Sequence, residues 1–105
     1  MARKKGKLKI TVLKRQTAKE IFGDNPPQGK SPEACDIYTD GQEFIVDEEQ
    51  ACPEGFCTQA WNDIVGHLNL LWFGGEYPWM NEKGSAVVCC TDGYRPVIFE
   101  INRIQ

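Results

Sequence analysis

Five cysteines and a single histidine are the residues of this 105-residue chain best equipped for chemistry. Cys35, Cys52, Cys57, Cys89 and Cys90 offer thiolates, which act as soft metal ligands or as nucleophiles. Zinc sites draw on tight pairs, with about two to four residues between ligands. Cys52 and Cys57 are separated by four residues in "CPEGFC", Cys89 and Cys90 are contiguous, and Cys35 stands alone. There is no second tight pair, so the spacing is a weak zinc signal and matches no iron–sulfur signature. A metal site would have to assemble in space from Cys35, Cys57 and one or both of Cys89 and Cys90, with zinc or an iron–sulfur cluster as the cofactor.

Cys57 has a more specific rationale as a reactive thiol. It stands at the start of a helical pattern, where unpaired N–H groups and the helix dipole favour an anion. Burial works against the charged form, so the thiol must sit at the rim of the core to react. The doublet in "VVCCTDGYRPVIF" obeys a different constraint. Successive side chains of a strand point to opposite faces, so Cys89 and Cys90 cannot both face one centre inside regular strand. Free cysteine also packs readily as a small apolar residue, the plain alternative for each of these thiols. His67 lies ten residues after Cys57, about 15 Å along a straight helix, which rules out a Cys–His dyad on that element. It reads as a flanking, partly exposed side chain.

Two further groups could recognise a ligand. "TDGYRP" offers Asp92 and Arg95 to an anion, although Asp-Gly and Pro are also ordinary turn residues. "EYPWM" places Tyr77 and Trp79 in an aromatic loop spanning 73–80, suited to a small-molecule or protein partner; the plain alternative is a cap on a small core.

The elements that must position these groups follow from periodicity. Leu8, Ile10 and Val12 alternate with polar residues, predicting a strand over 7–14. "TAKEIFG" predicts a short helix with Thr17 and Glu20 as a capping box and Gly23 as its stop. "DNPPQGKSPEA" is a loop. Asp40-Gly41 turns into a strand over 42–47, with Phe44 and Val46 on one face. In "CTQAWNDIVGHLNLLWFGG", Cys57, Ala60, Trp61, Ile64, Val65, Leu68, Leu71 and Trp72 form one helical stripe, closed by Gly74-Gly75. Two strands follow, Ala86 to Cys90 and Val97 to about Arg103. The expectation is an α+β domain over 7–105: a small, mainly antiparallel sheet with one long amphipathic helix (about 57–73) packed on it, a short N-terminal helix, and a basic tail at 1–6.

Composition sets outer limits. Hydrophobic residues make up 41% and charged residues 26%, a globular balance with one core. No apolar run approaches the roughly 18 residues of a membrane span. The basic start is not followed by a continuous apolar stretch, so a secretory signal is not expected and the cytoplasm is. There the cysteines are expected to be free, metal-bound or catalytic, not a disulfide framework. Residues 1–15 carry seven of the twelve Lys and Arg and none of the fifteen acids. With a pI near 5.1 this patch argues against a nucleic-acid partner and for attraction to the acidic remainder of the chain.

"GQEFIVD", "PEGFCTQAWNDI", "LWFGGEYPWM" and "VVCCTDGYRPVIFEINRI" together resemble a family of small, cysteine-containing, uncharacterised bacterial and archaeal proteins. The resemblance spans roughly residues 7–104. It implies that Cys35, Cys57 and Cys90 occupy motif positions and brings no assigned activity, cofactor or catalytic residue. Three functions are open: a thiolate metal- or cluster-binding protein, a non-catalytic binding module with structural cysteines, and a cysteine-dependent redox or nucleophilic enzyme.

Overall fold

The computed structural model describes residues 6–27 and 33–104. The basic tail expected at 1–6 lies outside them except for Gly6, as does the middle of the proline-rich loop. The described residues form four strands and two helices: β1 (Leu8–Arg15), α1 (Ala18–Phe22), β2 (Glu43–Val46), α2 (Thr58–Trp72), β3 (Ser85–Cys89) and β4 (Val97–Arg103). All strand pairings are antiparallel and the sheet order is β2-β1-β4-β3. This is the α+β architecture that the periodicities imply, with α2 packed against β3 and β4.

Alternation places the apolar side chains on one face of this sheet. Leu8, Ile10 and Val12 of β1, Phe44 and Val46 of β2, and Val97, Phe99 and Ile101 of β4 are all buried. The α2 stripe closes over them through Ala60, Ile64, Leu68, Leu71 and Trp72. Trp61 and Val65, at its margin, are only partly buried. Register slips between Val12 and Lys14 in the β1–β4 pairing, leaving Leu13 as an extra, exposed residue in a bulge.

The helix ends follow local rules. Thr17 and Glu20 form the capping box of α1, and the Gly23 N–H closes on the Lys19 carbonyl. At the end of α2, Gly74 takes φ 90°, its N–H bonds the Leu71 carbonyl, and the Gly75 N–H bonds that of Leu70. This is a Schellman closure, and the left-handed position needs a residue without Cβ. Arg103 of β4 reinforces it by donating to the Leu71 carbonyl at 2.7 Å and the Gly75 carbonyl at 3.2 Å.

The basic residues of β1 pair with acids of their own chain. Lys9 meets Glu43 at 3.5 Å, Lys14 meets Glu20 at 3.2 Å and Arg15 meets Asp40 at 3.0 Å. One boundary differs from the periodic reading: β3 ends at Cys89, and Cys90 lies just beyond it. The Cys90 N–H still bonds the Val97 carbonyl at 3.1 Å, but the Asp-Gly turn draws the chain away from the ladder there.

Candidate functional site: a cleft lined by three thiols

Three separate segments converge at the N-terminal end of α2. The first is "CPEGFC", in which the Phe56 N–H bonds the Pro53 carbonyl at 3.1 Å and Gly55 takes φ 83°. A positive φ at the third residue of such a turn is what glycine supplies. The turn drives Phe56 into the core and leaves Cys57 as the N-cap of α2. Phe56 lies within an aromatic group, with ring centroids 5.0 Å from Phe44, 5.3 Å from Phe99 and 5.4 Å from Tyr38.

Tyr38 links this group to the second segment. Its ring is buried and its hydroxyl accepts the Cys57 N–H at 3.1 Å. Burial pushes the phenol above its ordinary pKa, so Tyr38 is neutral through the physiological range; the N–H bond from Cys57 opposes that shift, and the Cys57, Cys35 and Cys90 thiols add to it. Arg15 fixes the other end of the segment. Its Nη1 donates to the Cys35 carbonyl at 3.1 Å while its Nε and backbone N–H both bond Asp40 Oδ1. The bond from the Arg15 side chain holds the Asp40 carboxyl below its ordinary range.

The third segment joins β3 to β4. Asp63, in the second turn of α2, accepts both the Thr91 N–H at 2.9 Å and the Thr91 hydroxyl at 3.0 Å. Asp92 Oδ1 accepts the Tyr94 and Arg95 N–H groups, at 2.9 and 3.1 Å, bending the loop back. Cys90 faces inward, and its Sγ accepts the Val97 N–H at 3.3 Å.

Together these segments enclose a cleft of about 260 Å³. Cys35, Cys57 and Cys90 line it, with Tyr38, Asp63 and Arg95 among the polar groups, Asp92 and Gln59 at its side, and Ile37, Ala60 and Val97 supplying apolar wall. Each of the three cysteines is partly buried, and all five in the chain are free. The Arg95 guanidinium forms no ion pair or hydrogen bond with any described residue.

The remaining sequence candidates are elsewhere. Cys89 pairs with Ile98 on the opposite, exposed face of the sheet and does not line the cleft. Cys52 lies outside it too; burial raises its thiol pKa and its Sγ lies 3.7 Å from the Pro53 carbonyl. His67 Nδ1 meets the Tyr77 hydroxyl at 2.6 Å, and Tyr77 stacks on Trp79 with centroids 4.8 Å apart. Trp79 is 71% exposed beside a separate depression that it shares with Glu82 and Glu100. Of the four residues expected to bind a ligand, Asp92 and Arg95 thus join the thiols, and Tyr77 and Trp79 do not.

Arg15, Tyr38 and Asp63 carry the site's geometry, and Gln59 lines it, without having been singled out from the sequence. Asp63 had a signal: it follows Cys57 and Ala60 at steps of three, on one side of the helix. Tyr38 and Arg15 had none, because their partners lie 19 and 20 residues away.

Among the described residues, no group of three or more His, Cys, Asp or Glu side chains stands close enough to hold a metal ion. The three thiols are spread around a cleft wall and do not form a preformed cage. Fold and site together define the class: a small α+β domain with a thiol-lined cleft at a helix N-terminus. No family model, no curated protein and no solved structure matches the chain, so its motifs stand on this sequence alone.

Proposed function

We propose that the protein works through the thiols of this cleft, with Cys57 as the attacking group on a small electrophilic substrate. Cys90 and Cys35 are the neighbouring thiols available to a second step. What supports this reading is the convergence of three cysteines from three segments on one cleft, while Cys52 and Cys89 stay outside it. Cys57 combines two favourable features. Its side chain makes no capping hydrogen bond, leaving the sulfur free for a substrate. It also stands at the N-cap of α2, the end of the helix where backbone N–H groups are unpaired. The cleft is large enough for a small molecule and much larger than a single ion requires.

Site-resolved alkylation of the native protein by neutral iodoacetamide tests this. Exposure alone makes Cys89 the fastest thiol; helix-terminal activation makes it Cys57, although Cys57 is the less exposed. Cys57 reacting several-fold faster than Cys89 near neutral pH is the expected outcome, and Cys57 trailing Cys89 would contradict it.

A second reading uses the same sulfurs. Three thiols are the soft donor set that zinc or an iron–sulfur cluster takes, and the convergence favours this too. Cys35, Cys57 and Cys90 would be the ligands, each swinging inward from the wall. Elemental analysis of the same sample, purified without oxygen, separates the two readings: stoichiometric metal with all three thiols protected supports coordination.

A further inference from the structure

We infer that the cleft takes small electrophiles bearing a single carboxylate, which Arg95 binds while Cys57 attacks. This rests on the thiol reading above and adds to it the substrate's charge and the residue that recognises it. Arg95 lines the same cleft as the three thiols. Its backbone is pinned by Asp92, yet its guanidinium bonds no described residue. The two acids that line the same cleft accept hydrogen bonds elsewhere: Asp63 from Thr91, and Asp92 from the Tyr94 and Arg95 backbone. The loop thus sets a guanidinium at a cleft in which no described side chain pairs with it.

A guanidinium presents parallel N–H donors that match a planar carboxylate, which makes that group its natural ligand. Asp63 and Asp92 line the same cleft and set an upper limit on the substrate's charge. One negative charge balances Arg95; a phosphate dianion would be repelled by both aspartates. The cleft volume of about 260 Å³ leaves room for a small organic molecule around that carboxylate.

The chemical step is a displacement. The Cys57 thiol loses its proton to solvent, and the thiolate forms a sulfur–carbon bond as the bond from that carbon to the leaving group breaks. The leaving group departs with the electron pair, and no oxidant or reductant is needed.

Iodoacetate and iodoacetamide are matched probes: both lose iodide to a thiolate, and they differ in one negative charge. The rate ratio of iodoacetate to iodoacetamide is measured at Cys57 by mass spectrometry of the native full chain, at low and high salt. Cys89, on the opposite face of the sheet, is the internal control. The expected ratio at Cys57 exceeds that at Cys89 roughly fivefold at low ionic strength, and the excess shrinks with salt. In Arg95→Gln it falls to the Cys89 value, and in Arg95→Lys part of it survives. Taking the ratio cancels any change in the intrinsic reactivity of Cys57. Equal ratios at Cys57 and Cys89, or an excess that survives in Arg95→Gln, would overturn this inference and leave the thiol reading standing. Failure of Cys57 to react with either reagent would overturn both.

Discussion

At the scale of single residues, the site depends on polar contacts that each tie one cysteine-bearing segment to another element. Tyr38 is the most telling, because its hydroxyl holds the Cys57 N–H from inside the aromatic group. Tyr38→Phe keeps the ring packing and removes that acceptor, so it is expected to cost about 1 kcal/mol of stability. A pH signature accompanies the loss. The folded protein raises the phenol's pKa, so the stability Tyr38 contributes is complete below the unfolded value near pH 10. It is lost as pH rises beyond that point through the folded value. Urea midpoints are therefore expected to fall less steeply above about pH 10 in Tyr38→Phe than in wild type. An identical alkaline limb in the two proteins would contradict the buried, bonded phenol. At this scale the sequence was only partly legible. The opposite facing of Cys89 and Cys90 follows from strand alternation, and the placement of Cys57 follows from helix periodicity. The roles of Tyr38 and Arg15 depend on tertiary closure, which leaves no periodic trace.

At the scale of elements, the short-range signals held. Capping box, Schellman glycine and strand alternation all depend on neighbours within a few residues, and all stand where the sequence puts them. The end of β3 was harder to read, because the Cys90 N–H keeps one ladder bond while the Val97 N–H goes to the Cys90 sulfur. The end of α2 supplies a test. Glu76 accepts the Gly84 N–H and pairs with Arg103, the residue that covers the last carbonyls of α2. The bond from Gly84, aided by Arg103, lowers the Glu76 carboxyl below its ordinary value. The stability it contributes is therefore present above the unfolded value near pH 4.3 and lost as pH falls through the lower folded value. Glu76→Gln is expected to unfold at lower urea than wild type at pH 7, with the gap closing towards pH 3. A constant gap over that range would show that the carboxylate's charge plays no part.

At the scale of the whole molecule, β1 and β4 join the two ends of the chain at the centre of the sheet, with Leu8 opposite Arg103. That closure carries the N-terminal segment with Cys35, the helix start with Cys57 and the last turn with Cys90 to one end of the domain. Sequence periodicity identified the pieces but not their shared end, since register and strand order are set by burial across the whole sheet. The aromatic loop, legible as a cluster, proved to be a separate surface centred on Trp79. The central claim is that Cys35, Cys57 and Cys90 form one site and that Cys52 and Cys89 do not belong to it. Its most direct test is limited oxidation of the dilute native protein with a diazene reagent, which joins two neighbouring thiols as a disulfide and is itself reduced to the hydrazine, followed by mapping of the first linkage formed. The expected result is an intramolecular disulfide between two members of the set Cys35, Cys57 and Cys90. A first linkage that engages Cys52 or Cys89 would contradict it.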